Sequence, residues 1–176
     1  MTGQNEHMDQ QPDADELFGI VGELAISVWH LGYLVEEIGL DLGHNVGSHS
    51  AANAREAIRR HLELDELPPW ADSLVSTTKL IDWLNQVDEC VGAYHDVVQA
   101  FATARGRTPT RRLSDGSRHR VGVPDLKALL TASRELTRTG DGLSDALGLR
   151  SENGTVMHGY DNIIRTVYGT NQAVSA

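Results

Sequence analysis

Long helical bundles often host metal sites built from carboxylates and histidines. In this chain two carboxylates in stretches of helical periodicity lie near histidines. Asp41 and His44 are one helical turn apart, and Asp88 and His95 share a helix face on either side of Val91. Asp41, His44, Asp88 and His95 are therefore the candidate metal ligands. The pattern Glu-x-x-His, which points two ligands inward from one face of a bundle helix, is absent from the sequence. No resident cofactor is expected; Mg²⁺ enters only if the chain is an enzyme.

A second kind of chemistry sits between 105 and 120. Arg105, Arg107, Arg111, Arg112, Arg118 and Arg120 share this stretch with one acid, Asp115. A guanidinium offers a planar fork of donors that suits carboxylate or phosphate. Residues 1–104 carry 18 acidic and 4 basic side chains, and the whole chain has a formal net charge of −10. Such an acidic surface disfavours nonspecific binding of nucleic acid and of anionic membranes. The arginines lack the interleaved aromatic residues of single-strand binders, so nucleic acid is the less favoured ligand. Acidic helices of the same chain or of a partner subunit are the other ligands weighed, and an acidic protein partner is the expected one.

Three local patterns resemble known families. His95-Asp96 resembles the dyad of metal-dependent phosphohydrolases of the HD type, although the residues after Asp96 lack that family's continuation. Arg55 with His61, and Arg112 with His119, have the Arg-to-His spacing of helical ribonucleases of the HEPN class. The stretch GELAISVWHLGYLVEEIGLDL, residues 22–42, resembles a helix of the all-α nucleoside-triphosphate pyrophosphatases. In that family the helix carries Glu-x-x-Asp, which helps bind Mg²⁺. Here Glu23 matches the glutamate and Ile26 replaces the aspartate. The resemblance implies a site that is lost, or one rebuilt from Glu23, Glu36, Glu37 and Asp41 with Asp88 and Glu89 of the third helix, in which Glu23, Glu37, Asp41 and Asp88 are the candidate catalytic residues.

The elements that must position these groups follow from apolar spacing. Leu17, Val21, Leu24, Val28, Leu31, Val35, Ile38 and Leu42 alternate steps of four and three, one seam of a long helix over about 13–41. Phe18, Ile20, Trp29 and Tyr33 widen it. Asn53 and Glu56 form a capping pattern for a short helix ending near Leu64. Pro68 and Pro69 break the chain. A third helix is predicted from Trp70 to Arg105, with Leu80, Leu84, Val87, Val91, Tyr94, Val98 and Phe101 on its seam. The segment 105–123 is predicted as a loop whose Ser-Asp-Gly-Ser centre suits a small hairpin. Pro124 and Asp125 open a fourth helix to Gly148, with Ser133 and Gly140 interrupting its seam. A short fifth helix is predicted over 156–168.

This predicts an all-α chain, an elongated antiparallel helical bundle of three long helices plus two short ones. The domain spans 13–169, with a disordered acidic tail at 1–12 and a flexible end at 170–176. The single cysteine, Cys90, permits no intramolecular disulfide. No apolar run approaches ~18 residues, so no membrane span is expected, and the polar, acidic start predicts no signal peptide. A cytoplasmic location is expected. The function expected is a non-catalytic interaction or regulatory module, self-associating as a homodimer, with the arginine loop on an acidic partner. The alternative is a nucleotide- or RNA-directed hydrolase with Mg²⁺.

Overall fold

Helices make up most of the chain: α1 (Ala14–Asp41), α2 (Ala51–Leu64), α3 (Thr77–Ala104) and α4 (Val123–Leu147). Two short antiparallel strand pairs accompany them, β1 (Thr110–Arg112) with β2 (Arg118–Arg120), and β3 (Leu149–Arg150) with β4 (Val156–Met157). The computed structural model describes residues 14–42, 51–64, 67, 71, 75–105, 107–113, 115–150 and 156–157. The tails, His44 and Trp70 lie outside the described residues.

The all-α class stands, with differences in detail. The β1–β2 pair is the small hairpin that the Ser-Asp-Gly-Ser centre suits, whereas the β3–β4 pair has no counterpart in the sequence reading of these residues as helix and turn. Val156 and Met157 pair as a strand where the fifth helix is predicted to start; the rest of that expected helix lies outside the described residues. Helix α3 starts later than predicted because the Ser76 hydroxyl caps it, accepting from the Lys79 N–H at 3.2 Å. Helix α2 starts earlier, at Ala51, so Asn53 sits within its first turn. Glu56 there accepts from the Arg60 side chain at 3.0 Å. Helix α4 opens as expected. Pro124 occupies its first turn, and the Asp125 carboxylate takes the Gly122 N–H at 2.9 Å.

The long helices have definite directions. Lys127 Nζ donates to Glu16 Oε1 at 2.7 Å, and Arg134 Nη2 to Glu23 Oε2 at 2.7 Å. Both pairs are 111 residues apart, and His30 lies 4.0 Å from Asp141 at the same offset. Each rung falls one heptad beyond the last, so α1 and α4 run parallel. Helix α3 runs against both. Trp83, near its start, meets Gly140 late in α4, while Val97 and Ala100, near its end, pack with Leu24 and Leu126.

Two apolar clusters result. One joins Leu31, Leu34 and Ile38 of α1 to Ile58 of α2, Leu80 and Leu84 of α3, and Leu143 and Leu147 of α4. The other joins Ile20 and Leu24 to Val97, Ala100, Val121, Leu126 and Leu130. Ser133 and Gly140 do not interrupt the α4 seam; both are buried in it. Their small size lets α1 and α3 approach α4 closely. The Ser133 hydroxyl is satisfied by donating to the Leu130 carbonyl at 2.9 Å.

Candidate functional site

The carboxylates of the enzymatic alternative are held at three separate places. Glu23 is on the surface and bound by Arg134. It lies 18 residues before Asp41, which along a helix is roughly 27 Å. Glu37 is half-buried one turn before Asp41. Asp41 itself is buried, at 1% exposure, and accepts from Ser144 Oγ at 3.1 Å. This bond joins the end of α1 to the end of α4.

Asp88 is committed to α2. Arg55 Nε meets Asp88 Oδ1 at 2.7 Å and Arg59 Nη2 meets Oδ2 at 2.9 Å. Arg59 also donates to Asn85 Oδ1 at 2.7 Å. The result is a two-arginine clamp across the short helix. It takes up Arg55, so the Arg55–His61 spacing does not leave that guanidinium pointing into a cleft. His95 is exposed, two helical turns from Asp88, with its ring beside Tyr94. Among the described residues, no three His, Cys, Asp or Glu side chains come together in a way that could hold a metal ion. Cys90 is buried at a groove of about 400 Å³ between α3 and α4, and burial pushes its thiol pKa up, away from the reactive thiolate.

The basic stretch folds as the small hairpin β1–β2, with Thr110 opposite Arg120, Arg111 opposite His119 and Arg112 opposite Arg118. Asp115 is spent on the turn. It accepts from the Ser117 hydroxyl at 2.6 Å and from the Ser117 N–H at 2.8 Å. These bonds hold its carboxyl below the ordinary carboxylate pKa. Gly116 adopts φ 83°, the left-handed conformation that the turn needs.

Alternation then sorts the side chains. Arg112, Arg118 and Arg120 are exposed, while Arg111 and His119 turn inward and are half-buried. His119 Nε2 lies 2.8 Å from Asp125 Oδ1. Burial tends to raise the Asp125 pKa, but the Gly122 N–H, His119 and the charge of Arg111 outweigh it and hold the carboxyl down. The hairpin is thus bolted to the start of α4. Arg111 and Arg112 also line a hollow of about 240 Å³ with Asp96, Gln99 and Thr103 of α3. Arg105 and Arg107 are exposed beside the end of α3. Among the described residues, Arg107, Arg112, Arg118 and Arg120 form no ion pair with a carboxylate.

Phe18, Trp29 and Tyr33 lie on the flank of the α1 seam and not within the core. They are 75%, 72% and 51% exposed, and Ile26 joins them at 69%. Trp29 and Tyr33 stack, with ring centroids 6.4 Å apart. With one apolar face inside and another outside, Glu16–Asp41 is by length and composition apolar enough to cross a membrane, and a third of its most apolar 18-residue window is buried in the fold. Counting uninterrupted apolar residues misses this because Glu23, Glu36 and Glu37 break the run.

Comparison with protein-family models, with curated proteins and with solved structures finds no match to this chain.

Proposed function

We propose that this chain is a non-catalytic helical interaction module. It binds an acidic protein segment through the outer face of the β1–β2 hairpin and associates with itself through its helices. One observation carries the reading. Arg112, Arg118 and Arg120 stand exposed on a hairpin whose own acid, Asp115, is taken up by the turn, and Arg107 is exposed just before it. A ladder of outward guanidiniums on an otherwise acidic molecule is suited to bidentate carboxylate recognition. The side chains that a hydrolase would need are engaged elsewhere: Glu23 with Arg134, Asp88 with the α2 arginines, Asp41 with Ser144. A cytoplasmic site of action remains part of this proposal.

The test is fluorescence anisotropy with a glutamate-rich peptide, beside a single-stranded RNA of equal length, over a range of salt. The expected result is peptide binding that weakens with salt and falls at least tenfold when Arg107, Arg112, Arg118 and Arg120 are changed to alanine, with the melting temperature unchanged. Tighter binding of the RNA would transfer the hairpin to nucleic acid. Hydrolysis of a nucleoside triphosphate that needs Mg²⁺ and is lost in Asp41→Asn or Asp88→Asn would establish the enzymatic alternative instead.

A further inference from the structure

We infer that the outer face of α1 is a self-complementary docking surface for a second copy of this chain, packed antiparallel about Ile26. This rests on the self-association part of the proposed function and gives it a face and a register.

Phe18, Gly22, Ile26, Trp29 and Tyr33 follow one another at helical spacing along the outside of α1. The stripe carries no carboxylate, lysine or arginine. At the exposures above, its three aromatic rings and Ile26 leave roughly 500 Å² of apolar surface per copy. Two copies would bury about 1,000 Å², where specific interfaces begin.

The order of residues chooses the occupant. Laid antiparallel with the two-fold axis beside Ile26, between positions 25 and 26, Phe18 falls opposite Tyr33 of the partner subunit. Gly22 falls opposite Trp29 of the partner subunit. A Cβ added at Gly22 would meet nothing within 4 Å, and the same holds at Gly19. The fold therefore leaves a notch on this face that nothing in its own packing requires. An indole from a second copy fits it, as large side chains fit over small residues where helices approach closely.

Charge permits the approach. A molecule of net charge −10 ordinarily repels its copy. Along one flank of the stripe the acids Glu16 and Glu23 are neutralised within the chain by Lys127 and Arg134. An isologous contact of this kind closes on itself as a dimer.

The test uses sedimentation velocity on the full chain and on two variants, with circular dichroism to check folding. Ile26→Asp puts a charge beside the two-fold axis. Gly22→Leu fills the notch while improving the helix itself, so a fall in dimer affinity without a fall in melting temperature reports the contact and not the fold. The expected result is a dimer for the parent chain and at least a hundredfold weaker association for both variants. Register is read by mixing Phe18→Cys with Tyr33→Cys under mild oxidation. The mixture should cross-link, and Phe18→Cys alone should not.

A parent chain that stays monomeric at about 100 µM overturns this inference and self-association together. A dimer untouched by Ile26→Asp overturns the face alone. Self-linking by Phe18→Cys overturns the antiparallel register. Flotation of the parent chain with neutral lipid vesicles, lost in Ile26→Asp, would make lipid the occupant and overturn the inference. The hairpin assay is independent of all four outcomes.

Discussion

The indole of Trp83 lies where a side chain at position 140 would begin: a Cβ on Gly140 would sit 2.6 Å from Trp83 Cζ2 and 3.0 Å from Leu34 Cδ1. The same ring donates from Nε1 to the Leu136 carbonyl at 2.9 Å. That carbonyl also faces the N–H of residue 140 in the helix ladder. Trp83 reaches it only because residue 140 has no side chain. Gly140→Ala should therefore destabilise the fold by about 1–3 kcal/mol through overpacking, although alanine favours helix. Thermal melting checks this, at about 2–4 °C per kcal/mol for a chain of this size.

Asp88 is expected to behave as a structural anchor. Asp88→Ala leaves Arg55 and Arg59 without their shared acceptor. Its side chain is 38% exposed, so solvent screening keeps the cost near about 1 kcal/mol. A double-mutant cycle with Arg55→Ala should show coupling of a few tenths of a kcal/mol or more. Added Mg²⁺ should shift the melting of parent and variant equally; a shift confined to the parent would return Asp88 to metal binding.

Arg105 ends α3 in the left-handed conformation, at φ 46°. A β-carbon disfavours that conformation, and glycine does not pay this steric cost. Arg105→Gly should raise stability by about 0.5–1 kcal/mol. Loss of stability would show that the arginine side chain contributes more than its backbone strain costs.

Acid should loosen the hairpin at Asp125. Its folded pKa is depressed below the ordinary value of 3.8. The stabilisation is therefore present above about 3.9 and lost as pH falls through the lower, folded value. Asp125→Asn should lower stability near neutral pH by about 1 kcal/mol, the scale of a capping bond. The gap between parent and variant melting temperatures should narrow as pH falls below the ordinary carboxylate range and close beneath the lowered, folded pKa. A gap that does not change with pH would mean that the carboxylate charge is not what holds the junction.

The four-three spacing made the helices and most of their buried faces legible, because Leu24, Leu31, Val35 and Ile38 announce a seam wherever their neighbour is. Gly140 and Ser133 read as faults in a seam, since the meaning of a small residue depends on the bulk opposite it. That bulk, Trp83, is 53 residues from the carbonyl it bonds. The periodicity places Trp29 and Tyr33 on the flank of the first helix, but that Phe18, Trp29 and Tyr33 stand outside the core required the structure. Apolar residues mark an interface without saying whether the same chain supplies the other side. The Asp88 clamp was out of reach because its arginines lie on a different helix. The hairpin was partly legible, through Asp115-Gly116; that Asp115 belongs to its turn required the structure.

The rungs that join Glu16 to Lys127 and Glu23 to Arg134 span 111 residues. During synthesis at about 5–20 residues per second, α1 leaves the ribosome roughly 5–20 s before the segment that covers its inner face. Through that interval a helix that is apolar on two sides has neither side fully enclosed. Apolar surface left open in this way is aggregation-prone until the covering segment is made, so elongation rate is expected to affect the yield of folded chain.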